Sequence, residues 1–150
     1  MKKVLFVCTA NICRSPMAEA IFNALAEDRG LEFRAESAGV AALRDEPMAP
    51  NASAALEEIG VYAGGHSARQ VSTKMLEEAD LVLAMSPRHV AELRRVFGDS
   101  FRVRTLPEYV SDAPTQEGIS DPYGSTMAAY RASVRQLFGY VDPLVNRLAR

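Results

Sequence analysis

The sequence predicts a single doubly wound α/β domain in which a four-stranded parallel sheet is flanked by helices. Two observations carry this prediction. Short apolar runs rich in Val, Leu and Ile recur along the chain, as in strands that are buried on both faces. Segments with helical spacing of apolar residues alternate with these runs, which is typical of parallel sheets covered by helices. The length of 150 residues suits one domain, over 1–150, with a substantial core.

The first strand, loop and helix can be placed from local patterns. Lys3–Val7 is an apolar run that predicts a buried strand, and the polar segment Cys8–Ser15 predicts a loop. A helix is expected from Pro16, with Ser15 as its cap and Gly30 at its end. Ligand sites in such folds lie at the carboxyl ends of the strands, which is where Cys8 falls.

The rest of the chain continues the alternation. Further strands are expected over Leu31–Glu36, Asp80–Met85 and Phe101–Leu106, and helices over Asn51–Ile59 and from Pro87 to about Phe97. Pro107–Ser120 has no clear period and predicts a long polar loop. A closing helix follows Gly124, with an interruption expected near Asp142-Pro143.

Composition excludes several classes of protein. The chain has 17 Lys and Arg against 19 Asp and Glu, so it lacks the basic excess of a nucleic-acid binder. No apolar run approaches the roughly 20 residues that cross a bilayer. The only cysteines, Cys8 and Cys13, lie far from His66 and His89, which argues against structural zinc. We expect a cytoplasmic protein that binds neither nucleic acid nor membrane and needs no metal or cofactor.

The loop after the first strand carries the pattern C-x5-R-S, from Cys8 to Ser15. Five residues between Cys8 and Arg14 are enough to wrap around a tetrahedral oxyanion, with backbone N–H groups pointing inwards at a helix N-terminus. The Arg14 guanidinium can hold two of the oxygens. The helix end, Arg14 and the Ser15 hydroxyl all favour a thiolate at Cys8, which a phosphocysteine intermediate requires.

The segment VLFVCTANICRSPMAEAIF resembles the N-terminal signature of the low-molecular-weight protein tyrosine phosphatases. The resemblance extends through Ser37-Ala38-Gly39, His66-Ser67-Ala68-Arg69-Gln70, Leu83-Ala84-Met85 and Asp121-Pro122-Tyr123. It implies the fold derived above, with strand order 2-1-3-4. It also implies a phosphorylated protein as substrate, and we expect a monomer.

The resemblance assigns roles to individual residues. It implies that Cys8 is the nucleophile, that Arg14 binds phosphate and that Ser15 stabilises the leaving thiolate. It implies that Asn11 holds a strained loop backbone, helped by Ser37 and His66. The remaining phosphate-loop residues are then Thr9, Ala10, Ile12 and Cys13.

Asp121 is the expected general acid and base. Breaking a phosphoester requires a proton for the departing oxygen and later a base that activates water, and one carboxyl group can do both in turn. Asp-Pro before a helix is also a common turn, so this assignment depends on the Asp-Pro-aromatic motif of the family. Tyr123 is then an aromatic wall for the substrate.

Cys13 and the histidines leave alternatives open. The resemblance implies that Cys13 forms a reversible disulfide with Cys8. The alternative is that Cys13 is a small buried residue that fills the space behind the loop. We expect His66 to be a structural hydrogen-bonding residue. We expect His89 to lie on the surface of a helix without a role.

The choice of substrate rests on conflicting residues. The segment SAGVAALRDEPMAPNA resembles the family branch that removes phosphate from arginine, and Asp121-Pro122-Tyr123-Gly124-Ser125 does too. That branch has Thr where this chain has Ile12, and an apolar wall there suits an aromatic ring. We give Ile12 the greater weight, on the assumption that it contacts the reacting group and the loops do not. Phosphotyrosine is therefore expected, with phosphoarginine as the alternative.

Two further classes share such a loop. Thiol-dependent arsenate reductases use an additional cysteine relay, and this chain has no cysteine after Cys13. A module that only binds phosphate would be expected to lack Cys8 or Asp121, and both are present. A phosphatase is therefore the prediction, and an arsenate reductase that relies on an external thiol stays open as the less favoured alternative.

Overall fold

A four-stranded parallel sheet forms the centre of the computed structural model, which describes residues 1–150. The strands lie in the order β2-β1-β3-β4, so the predicted fold class and strand order are confirmed. All three pairings are parallel, and Cys8 lies opposite Gly39 at the carboxyl ends of two neighbouring strands. The strands are β1 (Lys2–Cys8), β2 (Phe33–Gly39), β3 (Leu81–Ala84) and β4 (Val103–Thr105).

Six helices cover the two faces of this sheet. None of them combines the length and the apolar character that crossing a membrane would demand. The helices are α1 (Arg14–Asp28), α2 (Pro50–Glu58), α3 (Thr73–Glu78), α4 (Pro87–Phe97), α5 (Leu106–Ser111) and α6 (Met127–Leu148).

The central strand β1 is buried on both sides. Val4 and Phe6 belong to a core cluster that includes residues of α1, α2 and α6. Leu5 and Val7 point to the opposite face, into a smaller cluster with residues of α3 and α4. Because successive side chains of a strand alternate between faces, both faces require apolar residues, which explains the unbroken apolar run in the sequence.

Two short helices, α3 and α5, are absent from the expected pattern, and α5 takes in Leu106, which was predicted as strand, and the first five residues of the segment predicted as a loop. At the start of α5, Thr105 Oγ1 accepts a hydrogen bond from Glu108 N at 3.1 Å, and Ser72 caps α3 in the same way through Met75 N at 3.2 Å. The prediction failed because a helix of six residues is too short to show an apolar period.

The closing helix α6 runs without a break through Pro143, so the expected interruption is wrong. Proline removes one backbone donor within a helix. Leu144 and Val145, which follow it, are fully buried in the larger core cluster. Packing of the residues that follow the proline therefore keeps the helix continuous.

Candidate active site

The loop after β1 is held by its carbonyl groups. The carbonyl oxygens of residues 8, 9, 10 and 12 accept hydrogen bonds from backbone amides of residues 40, 41, 43 and 49, at 2.9–3.0 Å. The amides of residues 9–13 donate to no group within the protein. A ring of free amides facing one cavity is the arrangement that binds an oxyanion.

Gly39 allows the loop to lie against the end of β2. A Cβ atom at this position would come within 2.3 Å of the carbonyl oxygen of Thr9. No side chain fits into that space. The Ser-Ala-Gly segment noted in the sequence therefore ends in glycine because the phosphate loop approaches the backbone here.

Asn11 adopts a left-handed backbone conformation at the centre of the loop, with φ of 61°. Its side chain is fully buried and its Nδ2 donates to Ser15 Oγ at 2.8 Å and to Ser37 Oγ at 3.0 Å. Its Oδ1 accepts from Arg69 N at 3.0 Å, and its carbonyl oxygen accepts from His66 Nε2 at 2.7 Å. These contacts hold a left-handed conformation that most residues other than glycine avoid and that asparagine adopts more readily than they do.

Cys8 Sγ lies 2.9 Å from the Ser15 hydroxyl at the carboxyl end of β1. Because Ser15 Oγ already accepts from Asn11, its hydrogen is free to point at the sulfur. Helix α1 begins at Arg14, and Cys13 occupies the cap position without a capping side chain. The expected cap role of Ser15 is therefore wrong, and the hydroxyl contacts the cysteine instead.

Glu19 extends this chain of hydrogen bonds and was missed in the sequence. The Ser37 hydroxyl accepts from Asn11 and donates to Glu19 Oε1 at 2.7 Å. The chain runs from Cys8 through Ser15, Asn11 and Ser37 to Glu19. The segment PMAEA contains Glu19 on the same helix as Ser15, but nothing in its spacing indicates a partner on β2.

Arg14 is almost completely buried and reaches the segment beyond α5. Its Nη1 donates to the carbonyl oxygen of Ile119, and its Nη2 donates to Asp121 Oδ2, both at 3.3 Å. The Asp121 side chain is half exposed, whereas that of Arg14 is 7% exposed. The structure thus brings together two residues that are 107 positions apart in the sequence.

The segment before Asp121 is fixed by helix α6. The Gln136 side chain bonds both Gly118 O and Ser120 N, and Ser133 Oγ donates to Ser120 O. Asp121 Oδ1 accepts from Tyr123 N at 3.1 Å, which turns the chain. These contacts hold the carboxyl group at the rim of the loop.

Cys8, the loop and Asp121 surround one cavity of about 270 Å³. Its walls include Ile12, the exposed ring of Tyr123, and Ala41 and Leu43 from the segment after β2. The segment after β2 and Ile12 therefore line the same cavity, so position in the site gives no ground for weighting Ile12 above this segment. The cavity is lined by Cys8, Thr9, Ala10, Asn11, Ile12, Cys13, Arg14, Ala41, Leu43, Asp121 and Tyr123.

Cys13 is buried, and its Sγ lies 3.5 Å from the hydroxyl oxygen of Tyr130. Burial raises the pKa of the Cys13 thiol to about 11, against the lowering effect of the Tyr130 hydrogen bond. Cys13 is therefore a protonated thiol at neutral pH. Both cysteines are free in this structure, and a disulfide between them stays a prediction.

His89 contradicts the expectation of a surface position, because it is 1% exposed. Its Nε2 lies 2.9 Å from Thr9 Oγ1 and its Nδ1 lies 2.9 Å from Ser86 Oγ. Burial, together with the positive charges of Arg14 and Arg88, lowers the pKa of His89 to about 4. The ring is therefore neutral at physiological pH. The sequence shows only a histidine on an amphipathic helix, which does not identify its partner.

Comparison with known proteins agrees with this geometry. The family model described as low molecular weight phosphotyrosine protein phosphatase matches residues 3–150. A protein-arginine-phosphatase from Bacillus subtilis is 37% identical over 148 residues, which cover 98% of this chain and 94% of that protein. The low molecular weight protein-tyrosine-phosphatase YfkJ from the same organism is 39% identical over 128 residues, covering 82% and 81% of the two chains.

A solved structure is also close to this one. A mutant of the YwlE arginine phosphatase with a phosphorylated active-site serine superposes with a TM-score of 0.93 at 35% identity. The match covers 99% of this chain and 96% of the other. The fold and these matches define a cysteine-dependent protein phosphatase. The chain belongs to the low molecular weight phosphotyrosine protein phosphatase family.

Proposed function

We propose that this phosphatase hydrolyses phosphotyrosine in proteins, with Cys8 as nucleophile and Asp121 as general acid and base. The observation that carries the proposal is the loop of residues 9–13, whose backbone amides have no partner within the protein and whose residues line one cavity with Cys8. The amides suit a phosphoryl group, and Ile12, Leu43 and Tyr123 suit an aromatic ring.

In the first step, Cys8 Sγ attacks phosphorus and the bond between phosphorus and the phenolic oxygen breaks. Asp121 donates its proton to that oxygen, which leaves as a neutral phenol. Arg14 and the loop amides stabilise the charge on the equatorial oxygens. Arg14 contacts Asp121 in the present structure, so a bound phosphoryl group would compete with the Asp121 carboxyl for the guanidinium.

In the second step, Asp121 accepts a proton from water, and the water oxygen attacks the phosphorus of the phosphocysteine. The bond between sulfur and phosphorus breaks, and orthophosphate leaves. The electron pair returns to Cys8 Sγ as a thiolate. The Ser15 hydroxyl, 2.9 Å from this sulfur, stabilises that charge.

The nucleophile is tested by Cys8→Ser, with Cys13→Ser as the matched control. We expect Cys8→Ser to lower turnover of an aryl phosphate by more than about a thousandfold. Rapid-quench mass spectrometry should detect phosphocysteine at position 8 in the wild type and in Cys13→Ser. In Cys8→Ser, no phosphocysteine should form. Wild-type turnover by Cys8→Ser would refute the assignment.

Phosphoarginine is the second candidate substrate. One ground for it is the similarity to a protein-arginine-phosphatase over 98% of this chain. The other is that Ala41 and Leu43 line the cavity, because they belong to the segment that resembles the arginine phosphatase branch. The two candidates separate when kcat/KM is measured for phosphotyrosine and phosphoarginine in the same peptide. A preference for phosphotyrosine supports the proposal, and a preference for phosphoarginine overturns it.

We also propose a monomer that acts in the cytoplasm. Cys8, Arg14 and Asp121, which carry the proposed mechanism, line one cavity within a single chain. Two free thiols close together fit a reducing compartment. Light scattering during size-exclusion chromatography tests the monomer, and fractionation of the source cells tests the location.

A further inference from the structure

His89 links two segments of the active site, the loop that follows β1 and the turn between β3 and α4. It is the third residue of α4 and is buried, with each ring nitrogen within 2.9 Å of a hydroxyl oxygen. One hydroxyl belongs to Thr9 in the phosphate loop. The other belongs to Ser86, at the turn between β3 and α4.

The phosphate loop has few contacts on this side. Its carbonyl groups are held from the β2 side, by residues 40–49 and by His66. From the side of α4, the hydrogen bonds to residues 9–13 come from His89 at 2.9 Å and from the exposed Arg88 at 3.5 Å, both to Thr9. His89 is therefore the one buried side chain that holds the loop from α4.

The turn that His89 contacts also supports the segment carrying Asp121. Ile119 N donates to the carbonyl oxygen of Met85 at 2.7 Å. Gly118 packs against Ser86 so closely that a Cβ atom would lie 3.0 Å from Ser86 Cβ. Asp121 follows two residues after Ile119. The contacts thus run from Thr9 through His89 and Ser86 to the segment that ends at Asp121.

We propose that His89 is a positioning residue, which sets the phosphate loop and Cys8 at the correct distance from Asp121. This inference rests on the roles proposed above for Cys8 and Asp121. His89 contacts no reacting atom, and it acts through Thr9 on one side and Ser86 on the other. Loss of the link would misplace the proton of Asp121 relative to the leaving oxygen. It would leave the attack by Cys8 largely intact.

Two substitutions separate the contacts of the ring. Gln places its amide near the position of Nε2 and can still reach Thr9. Asn ends near Nδ1 and can reach only Ser86. His89→Gln therefore keeps the contact with the phosphate loop, and His89→Asn loses it. The two variants differ by a single methylene group.

The readout is kcat/KM for phenyl phosphate and for p-nitrophenyl phosphate. Phenolate is a poor leaving group and needs the proton of Asp121, whereas p-nitrophenolate leaves without it. We expect His89→Asn to lose about tenfold with phenyl phosphate and threefold or less with p-nitrophenyl phosphate, as for one lost hydrogen bond. His89→Gln keeps the contact with Thr9 and loses only the one with Ser86, so its loss with phenyl phosphate should be smaller than that of His89→Asn, and it should stay within about twofold of the wild type with p-nitrophenyl phosphate.

Asp121→Asn provides the reference for this pattern. It should show a larger loss with phenyl phosphate than with p-nitrophenyl phosphate, because it lacks the acid itself. If Asp121→Asn loses the same factor in kcat/KM with both substrates, Asp121 is not the general acid. The inference about His89, which depends on that role, is then wrong as well. If Asp121→Asn behaves as expected and His89→Asn does not, only the inference about His89 is wrong.

Thr9→Val gives a second test that leaves the histidine in place. It removes Oγ1 and keeps the shape of the side chain, so it should reproduce the pattern of His89→Asn. The double variant Thr9→Val/His89→Asn should lose no more than either alone, since both break one contact. Equal losses on both substrates, no loss at all, or a His89→Gln variant as impaired as His89→Asn would each overturn the proposal.

Discussion

At the scale of single residues, we expect substrate choice to depend on a few apolar side chains that line the cavity. Ile12 is only 7% exposed, and its exposed part faces the same cavity as Leu43 and Tyr123. A β-branched apolar residue excludes water from one wall of the site. Thr at this position would present a hydroxyl to the substrate, which suits a polar guanidino group better than a phenyl ring.

Ile12→Thr is therefore expected to move specificity towards phosphoarginine. The ratio of kcat/KM for phosphotyrosine over phosphoarginine should fall by about tenfold, as for one altered contact in a binding pocket. Ile12→Val is the control, because it keeps an apolar β-branched side chain and should keep the ratio. An unchanged ratio in Ile12→Thr would show that Ala41, Leu43 and Tyr123 decide the substrate.

At the scale of elements, the phosphate loop combines backbone strain with buried hydrogen bonds. Asn11→Ala should lower the free energy of unfolding in two ways, because it removes the buried hydrogen bonds of the side chain and places alanine at a positive φ. Asn11→Gly removes the same hydrogen bonds, but glycine tolerates a positive φ. We expect Asn11→Ala to be less stable than Asn11→Gly by about 1 kcal/mol, and both to be less stable than the wild type. Urea unfolding measures this order. Equal stability of the two variants would mean that the backbone at residue 11 is not strained.

The elements also show which parts of the fold can be predicted from local patterns. Strand β1 and helix α1 were expected within one or two residues of their observed ends, because burial on both faces and helical spacing leave clear patterns. Helices α3 and α5 have too few turns for such a pattern. The continuity of α6 through Pro143 depends on the core that Leu144 and Val145 enter, which no local rule contains.

At the scale of the whole molecule, His89 makes stability depend on pH. Its pKa is lowered by burial to about 4, from 6.5 for an ordinary histidine, so between these values the unfolded chain binds the proton and the folded protein does not. The stability contributed by the neutral ring is complete above pH 6.5 and is lost as the pH falls towards about 4. Arg14 and Arg88 oppose protonation in the fold, and Asp121 favours it.

This dependence can be measured by comparing the wild type with His89→Gln. Between pH 7.5 and pH 5, the free energy of unfolding of the wild type should fall by about 2 kcal/mol more than that of the variant. Urea unfolding at both pH values gives the difference, and His66 is retained in both proteins. Parallel pH dependence of the two proteins would show that His89 titrates normally in the fold.

The sequence by itself determined the parallel α/β fold and the position of the loop that carries Cys8, Arg14 and Ser15. Both depend on neighbours along the chain: the period of apolar residues, and the spacing of Cys8, Arg14 and Ser15 between a strand and a helix. Only the tertiary structure decided that Arg14 contacts Asp121, that Ser37 bonds Glu19, and that His89 is buried against Thr9. These contacts join residues 18 to 107 positions apart. Their formation depends on the packing of helices against the sheet, which local spacing does not encode.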